Sequence, residues 1–462
     1  MVFAHNVALP APVIAALQRA KVPVEALHVV VMEANGSQKT SSLLSHEATT
    51  AINPASLSKL ATTVAALDLL GPTFVWRTPV YVDGPVRDGV LQGNVYLRGS
   101  GDPRLVVERV WLLMRRLQGL GIQKIQGDIV LDRSVFDLPE RNPASFDGEP
   151  LRPYNAAPDA LLVNFKSLVF QFVPDRAANL ARIHVEPPLA GVQFPASVPL
   201  SNTDCSDYRS SLRADWTDPL RIRFTGSFPA TCGEKVWPVA YAAPQQFAAR
   251  AIAGMWQQVG GQLAGQVREG VVPANLQPVF TVESPALSEV IRDINKFSNN
   301  VMAQQLFLTL ALTQRGLGTP DNAREVLRQW LTTRYGEAGR AARIDNGSGL
   351  SRDTRVSAQL LARLLQDMTA GTQMSELMSS LPVSGVDGTM KRSKSPPGRA
   401  HLKTGSLRDV TAVAGYVLTA SGHLCVLVGI VNHPNASAAK PALDALTDWT
   451  ARDLPGDLEA MK

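Results

Sequence analysis

The sequence of 462 residues has little of several features that mark whole classes of protein. Charged residues make up 18% and aromatic residues 6%, and the longest clean apolar run, at 424–431, is far too short to cross a bilayer as a helix. No run of lysine and arginine reaches the density of a nucleic-acid-binding segment, and the formal net charge is only +5. We therefore predict a globular protein with no transmembrane segment and no nucleic-acid partner.

Signatures of several common enzyme classes are also missing. The chain contains no HExxH zinc motif, no pair of CxxC motifs, no P-loop and no GxGxxG placed after a strand. Two Gly-Ser-Gly sequences, at 98–102 and 346–350, lack the flanking glycine of a nucleophile elbow. The residues therefore indicate no metal site, and they argue against a nucleotide-binding or α/β-hydrolase enzyme.

Cysteine is scarce, with three residues in the chain. Cys205 and Cys232 flank a segment rich in turn-forming residues and leave two alternatives open: a disulfide, which would indicate an oxidising compartment, or two free thiols. Cys425 lies in an apolar strand and is interpreted as core packing. The first residues lack a basic segment, and Pro10 and Pro12 interrupt their apolar stretch, so no signal peptide is predicted. This favours either a cytosolic protein or a mature chain with a new initiator methionine.

A chain of this length is expected to form two or three domains. Both ends have α/β character, with a helix at 11–21, a strand and the turn NGSQ at 35–38, and three strands within 399–433 followed by an amphipathic helix. From about 78 to 274 the pattern changes to shorter strands, and 146–234 is rich in Pro, Asn, Asp and Ser, as in a small β-rich module. We infer α/β segments at both ends, with different material inserted between them.

The segment NPASLSKLATT combines turn-forming residues with the start of an apolar helix, which we expect to begin at Asn53 or Pro54. Ser56 and Lys59 are three residues apart and therefore share one helix face. A serine hydroxyl becomes a nucleophile when an adjacent base takes its proton, and a lysine can be that base if burial or a like charge lowers its pKa. The alternative is an ordinary solvated lysine, and the same SxxK pattern recurs at 437–440.

Two further short motifs follow along the chain. The SNN sequence at 298–300 lies in a polar break between two apolar helices, where the alternative is a helix C-cap followed by an N-cap. The KTGS sequence at 403–406 begins the apolar strands near the C-terminus. Its lysine could be ordinary surface, but a glycine directly after a threonine lets a ligand backbone lie close against the strand. Each motif taken alone is a weak indicator of a site.

Taken in order, SxxK at a helix start, SxN between helices and KTG on a strand resemble the penicillin-recognising serine enzymes. The stretches LRGSGDPRL, YNAAPDALLVNF, DNGSGLSR, LPVSGVDGTM and HLKTGSLRDVTAVAGYV extend the resemblance over most of the chain. The chain is similar to the D-alanyl-D-alanine carboxypeptidase/endopeptidase family, the class C low-molecular-mass penicillin-binding proteins of peptidase family S13 type. Asn299 departs from the Ser-Asp-Asn of some relatives, at a position that varies in such motifs.

The resemblance implies an α/β (α+β) fold. We expect a penicillin-binding transpeptidase/β-lactamase-like domain, with an antiparallel sheet and helices, that carries two inserted smaller domains. The serine peptidase domain is predicted at 1–80 plus 274–462. An inserted α/β domain II is predicted at 81–145 plus 235–273, with a β-rich domain III at 146–234 nested in it. This nesting would account for the wide gap between the first two motifs.

The resemblance also implies roles for individual residues. Ser56 would attack the penultimate D-alanine carbonyl of a peptidoglycan stem peptide, and Lys59 would be the base, kept neutral by the nearby charge of Lys403. Ser298 would pass a proton to the leaving amine, and Asn300 would hydrogen-bond the substrate backbone. Lys403 and Thr404 would bind the terminal carboxylate, with Gly405 in the same substrate-binding strand. The amides of Ser56 and Ser406 would stabilise the oxyanion, and Arg352 would contact acidic groups of the stem peptide. No metal or organic cofactor is implied.

β-Lactams would acylate Ser56 as mimics of the D-Ala-D-Ala end and so act as covalent inhibitors. No counterpart of the glutamate that speeds deacylation in class A β-lactamases is evident, so slow release is expected. A peptidoglycan substrate implies the periplasm, a leader already removed, and a disulfide between Cys205 and Cys232. Two alternatives are a β-lactamase or esterase on the same fold and a non-catalytic peptidoglycan-binding scaffold protein, and an ordinary surface residue is the alternative for Arg352. The oligomeric state is left open.

Overall fold

The computed structural model describes residues 8–35 and 42–452. The chain divides into two compact units, the first formed by 1–75 with 285–462 and the second by 76–284. Most of the turn predicted at 35–38 lies outside the described residues.

The strands occur mostly in consecutive runs separated by single helices, and five helices, α6 to α10, follow one another before the last three strands. The α-helices are α1 (Ala11–Arg19), α2 (Ser58–Leu70), α3 (Val107–Gly119), α4 (Tyr208–Leu212), α5 (Pro244–Gln258), α6 (Leu287–Lys296), α7 (Asn300–Arg315), α8 (Pro320–Ala341), α9 (Ala358–Thr369), α10 (Met374–Ser380) and α11 (Lys440–Thr450). The strands are β1 (Leu27–Glu33), β2 (Leu44–His46), β3 (Arg77–Val82), β4 (Val86–Arg87), β5 (Val90–Leu91), β6 (Val95–Arg98), β7 (Lys124–Ile125), β8 (Ile129–Asp132), β9 (Ser167–Asp175), β10 (Leu180–Glu186), β11 (Ser197–Ser201), β12 (Ala214–Asp215), β13 (Arg223–Phe224), β14 (Phe228–Pro229), β15 (Lys235–Ala240), β16 (Gln262–Leu263), β17 (Val267–Glu269), β18 (Phe280–Glu283), β19 (Ala400–Leu407), β20 (Val410–Leu418) and β21 (Leu424–Asn432).

The first unit is built on an antiparallel five-stranded sheet in the order β19-β20-β21-β1-β2. Its two faces are both covered. Helices α1 and α11 share one apolar core with the sheet, and the α11 side chains Leu443 and Leu446 lie against Gly429. On the opposite face, the hydroxyl of Tyr416 donates to the carbonyl of Leu365 on α9 at 2.8 Å. Burial of both faces explains why β20 and β21 are mostly apolar and show no regular alternation of polar and apolar residues.

Two helices of the first unit are buried nearly all round. The residues of α2 from Ser58 to Leu67 are all buried, as are those of α7 from Asn300 to Ala311. Such helices are apolar on every side because they lie inside a unit rather than on its surface. Polar residues at their first turns are therefore held in a dry environment, which is the setting in which a lysine amine changes its pKa.

The second unit combines mixed and antiparallel sheets. One sheet has the order β17-β8-β6-β3-β18 and another the order β16-β7-β5-β4. A third, β14-β11-β10-β9-β15, covers an aromatic cluster in which Phe170 contacts the rings of Trp216 and Phe224 edge-on. A disulfide joins Cys205 to Cys232 beside this sheet's β14.

The limits of the two units depend on which strands pair with each other, and local sequence patterns do not show strand partners. Strands β3 and β18 pair with each other inside the second unit, whereas the predicted domain limits at 80 and 274 cut β3 and leave β18 outside. Strand β15 pairs with β9 across the predicted limit at 234. The finer division into domains II and III stays a prediction.

Candidate active site

The turn that carries Ser56 is fixed by an asparagine. Asn53 Oδ1 accepts a hydrogen bond from the Ala55 amide at 2.9 Å, and its side-chain amide donates to the carbonyl of Ser351 at 2.9 Å. Asn432 Nδ2 donates to the Asn53 carbonyl at 2.9 Å. The predicted helix start is thus wrong by a few residues, because a 3-10 turn at Ala55–Leu57 precedes α2.

The backbone next to Ser56 has an uncommon conformation. Ala55 has φ of 47°, in the left-handed region that non-glycine residues seldom adopt, and such conformations cluster at functional sites. Ser56 itself is only partly buried, while Lys59 is completely buried. Lys59 Nζ lies 3.0 Å from Ser56 Oγ, as the i, i+3 spacing predicted.

Lys59 is surrounded by acceptors. Its Nζ lies 2.6 Å from Asn300 Oδ1 and 2.5 Å from the carbonyl oxygen of Ser348, in addition to Ser56 Oγ. Burial, followed by the positive charge of Lys403, holds the pKa of the Lys59 amine well below its ordinary value. A neutral amine has two protons and one lone pair. With the protons donated to Asn300 and Ser348, the lone pair is left for the Ser56 hydroxyl, which is the arrangement that a general base requires.

The loop between α6 and α7 provides two of the predicted residues and also caps a helix. Asn299 Oδ1 accepts from the Met302 amide at 3.1 Å, so the capping alternative is correct for this residue. Asn300 begins α7 and reaches Lys59, while Ser298 has φ of 54° and lies 2.9 Å from Lys403 Nζ. Helix capping and the site therefore use the same segment.

Strand β19 brings the third motif to the same place. Lys403 is completely buried, and its Nζ donates to Ser298 Oγ at 2.9 Å and to the Thr404 carbonyl at 2.7 Å. Burial lowers the pKa of this lysine to about 7. A Cβ at Gly405 would lie 2.8 Å from the carbonyl oxygen of Pro54, so glycine lets β19 lie directly against the turn that carries the serine.

The structure adds a segment to which sequence reasoning gave no role. Residues 345–350 (DNGSGL) pack on α2, where Thr62 Oγ1 donates to the Gly347 carbonyl at 2.7 Å and Ser348 provides the carbonyl that faces Lys59. Gly349 has φ of 78°, and a Cβ there would overlap the carbonyl oxygen of Ala55. A backbone carbonyl has no letter of its own in a sequence, but the paired glycines were a usable signal of close backbone packing.

Of the remaining predicted residues, Thr404 belongs to this hydrogen-bonded group only through its carbonyl and is partly buried. Ser406 is exposed further along β19. Arg352 is exposed, its carbonyl accepts from Arg355 at 2.7 Å, and its role toward acidic groups stays a prediction. Within the described residues, no cluster of three or more His, Cys, Asp or Glu side chains is placed to hold a metal ion.

One family model matches nearly the whole chain. The family model described as D-Ala-D-Ala carboxypeptidase 3 (S13) family matches residues 11–453. The chain belongs to this family. It is a low-molecular-mass penicillin-binding protein of the S13 type and a serine peptidase, which confirms the predicted family and enzyme class.

Curated relatives and a solved structure agree with this assignment. The S13 peptidase is 27% identical over 386 residues to the D-alanyl-D-alanine carboxypeptidase DacB of Haemophilus influenzae, covering 82% of this chain and 80% of that protein. It is 28% identical over 435 residues to the D-alanyl-D-alanine carboxypeptidase of Actinomadura sp. (strain R39), covering 90% and 79%. The crystal structure of penicillin binding protein 4 from H. influenzae superposes with a TM-score of 0.75 at 24% identity, over 96% of this chain and 99% of that one. A second structure of that protein, complexed with a β-lactam, gives 0.70 at 23% identity, over 95% and 100%.

The fold of the S13 peptidase is therefore the predicted penicillin-binding fold. In the described part of the chain, no helix has both the length and the apolar character of a membrane span. The second SxxK sequence differs sharply from the first, because Ser437 and Lys440 are both exposed. The second pair therefore lacks the buried setting that surrounds Lys59 in the first pair.

Proposed function

We propose that the S13 peptidase hydrolyses peptidoglycan stem peptides at D-Ala-D-Ala, as a carboxypeptidase and endopeptidase, through an acyl-enzyme on Ser56. The observation that carries this proposal is the buried Lys59 amine, 3.0 Å from Ser56 Oγ, with two fixed acceptors for its own protons. In acylation the Ser56 proton passes to Lys59 while Oγ bonds to the penultimate D-alanine carbonyl carbon. The names of the curated relatives, both D-alanyl-D-alanine carboxypeptidases, support this substrate class.

The second half of acylation needs a proton for the leaving amine. Ser298 is positioned for this transfer, because its hydroxyl lies 2.9 Å from the Lys403 amine, which can replace the proton that the serine gives up. When the C–N bond breaks, the departing D-alanine leaves as a neutral amine, and water then hydrolyses the Ser56 ester. Asn300 holds Lys59 in place and is available to the substrate backbone.

The outer edge of β19 supports the proposed oxyanion site. The Leu402 amide donates outward to the Pro382 carbonyl at 2.9 Å, and main-chain groups of a strand alternate in direction with period two. The amides of Thr404 and Ser406 therefore face the same outer edge. An amide at Ser406, together with that of Ser56, would stabilise the tetrahedral oxyanion, an effect of about 3 kcal/mol for each donor. Lys403 and Thr404 would bind the terminal carboxylate at the same edge.

β-Lactams would acylate the same serine, since they mimic the D-Ala-D-Ala end. The β-lactam complex of the H. influenzae protein favours this, and we propose slow release of the adduct. We also propose a periplasmic location. The disulfide between Cys205 and Cys232 supports it, because disulfides persist in oxidising compartments outside the cytoplasm.

Mass spectrometry of defined muropeptides tests the proposed function. We expect a stem pentapeptide to lose one D-alanine, a D-Ala-cross-linked dimer to separate into monomers, and penicillin to leave a persistent adduct on the protein. Rapid penicillin turnover without an adduct would favour the β-lactamase or esterase alternative. Binding of intact peptidoglycan with no product from either muropeptide would favour the scaffold alternative.

The acid limb of the pH profile should depend on Lys403. Its positive charge makes the protonated form of Lys59 less favourable and so lowers the Lys59 pKa, an effect added to that of burial. Lys403 keeps most of its charge below about pH 7, where its own pKa lies. In Lys403→Met this charge is gone, the Lys59 pKa rises, and the acid limb of the acylation rate should move to higher pH.

Stopped-flow measurement of the acylation rate with a chromogenic cephalosporin, over a broad pH range, gives the pH midpoint of this acid limb independently of the maximal rate. Lys440→Met, a change at an exposed lysine outside the site, is the matched control and should leave the limb where it is in the wild type. An acid limb that stays in place or moves to lower pH in Lys403→Met would contradict the assigned coupling.

A further inference from the structure

A loop outside the three motifs runs along the proposed carboxylate-binding strand. We name residues 382–390 (PVSGVDGTM) the DGT loop. Its Pro382 carbonyl accepts from the Leu402 amide at 2.9 Å, and its Ser384 amide donates to the Ala400 carbonyl at 2.8 Å. These bonds fasten the loop to the outer edge of β19, directly before the residues proposed to bind the substrate.

Near the end of the loop, the Thr389 hydroxyl contacts the KTG motif. Thr404 Oγ1 donates to Thr389 Oγ1 at 2.7 Å. Thr389 is exposed and Thr404 partly so, and a substrate at this edge can therefore reach both. A hydroxyl has one proton and two lone pairs. Thr404 thus gives its single proton to Thr389 while the site is empty, and Thr389 keeps a proton that this bond does not use.

An ion pair between a nearly buried lysine and a partly exposed aspartate holds the loop in place. Lys296, the last residue of α6, is 5% exposed, and its Nζ lies 2.5 Å from Asp387 Oδ2. The other carboxylate oxygen accepts from the Val383 amide at 2.8 Å, which closes the loop on itself. Lys296 is two residues before Ser298 in the chain. The loop, the proton-transfer serine and the KTG strand are therefore tied to one another, and Thr389 is placed by a rigid support.

From this arrangement we propose that Thr389 is a positioning residue which, through Thr404, sets the preference of the site for substrates with a free terminal carboxylate. The proposal rests on the proposed function of the same site. When a carboxylate arrives, Thr404 turns its proton to the carboxylate oxygen, and Thr389 donates its own proton to Thr404 Oγ1. The number of hydrogen bonds at Thr404 rises by one, and the new bond is charge-assisted and therefore strong. Without Thr389, Thr404 loses both its orientation and this second bond.

Two thioester substrates separate this role from a merely structural one. An N-acyl-D-alanyl-D-thiolactate has a leaving group with a carboxylate, and the S-ethyl thioester of the same N-acyl-D-alanine has a leaving group without one. Both form the same acyl-enzyme on Ser56, so a change in the ratio of their kcat/KM values between the wild type and a variant reports a change in recognition of the leaving group. Thiol release is followed with a thiol-reactive dye for the wild type, Thr389→Val and Thr389→Ser.

We expect Thr389→Val to lower kcat/KM for the thiolactate substrate about tenfold, as loss of one charge-assisted hydrogen bond implies, and to change the S-ethyl thioester by about twofold at most. Thr389→Ser restores the hydroxyl and should recover most of the lost preference. An equal loss on both substrates, or no loss on either, would overturn the role of Thr389 while leaving the proposed function intact. A wild-type protein that cleaves neither thioester and no muropeptide would instead overturn the proposed function, and this inference with it.

Discussion

A Ser56→Ala variant is expected to lose all covalent labelling by fluorescent penicillin and to release D-alanine at a rate lower by about 10⁴-fold or more. The hydroxyl of Ser56 belongs to a partly buried residue and lies 3.0 Å from the buried Lys59 amine, and the variant keeps the turn that Asn53 fixes. Gel fluorescence after incubation with the labelled penicillin measures the adduct. Product analysis on a stem pentapeptide measures the rate.

Ser437→Ala is the matched control, because Ser437 begins the second SxxK sequence of the same chain but is exposed. It should label and turn over as the wild type does. Ser56→Ala should also show an unchanged thermal transition, since a partly exposed hydroxyl is a small loss of packing. Normal labelling of Ser56→Ala would refute the assignment of the nucleophile.

Lys59→Met should lower the acylation rate constant by about 10³-fold to 10⁴-fold, the upper range for general-base catalysis. Methionine is close to lysine in length and has no basic group, so the buried space stays filled while the proton acceptor for Ser56 disappears. Asn300 Oδ1 and the Ser348 carbonyl lose their shared donor, at a cost of about 1–3 kcal/mol for each acceptor left unpaired. The same change removes the cost of burying an amine, and we therefore expect a folded variant.

The form of the pH profile distinguishes a base from a structural lysine. Residual acylation of Lys59→Met should lose the acid limb that Lys59 causes and rise steadily with hydroxide, since the amine that faces the Ser56 hydroxyl is gone. Intact-protein mass spectrometry of adduct formation across pH follows both features, with Lys440→Met as the control. Acylation within tenfold of the wild-type rate, or an acid limb that persists, would mean that another group takes the Ser56 proton.

The site could be predicted where its geometry is local. The i, i+3 spacing of Ser56 and Lys59 predicts that the two side chains lie within reach of each other, and β19 to β21 appear where three strands were expected. The start of α2 was placed too early. Asn53 and Pro54 are typical of a helix N-terminus, but the hydrogen bonds of Asn53 with Ser351 and Asn432, residues far away in the chain, select a 3-10 turn instead.

Contacts between distant segments could be reached only through the resemblance to a family. The bond from Lys59 to Asn300 spans 241 residues, and nothing in the local pattern of either segment indicates it. The Ser348 carbonyl was missed because a main-chain acceptor is the same in every residue. The pairing of β3 with β18, which sets the limits of the second unit, could not be predicted from local patterns either, because strand partners are chosen by tertiary packing.

Two glycines from remote parts of the chain pack closely against the turn that carries Ser56. Gly405 leaves room for the Pro54 carbonyl, and Gly349 leaves room for that of Ala55. Any side chain at either position would push the turn, and the hydroxyl with it, out of alignment. A change of this backbone that excluded a β-lactam would therefore also displace the hydroxyl that the proposed peptide hydrolysis requires, so resistance and activity could not be separated at these two positions.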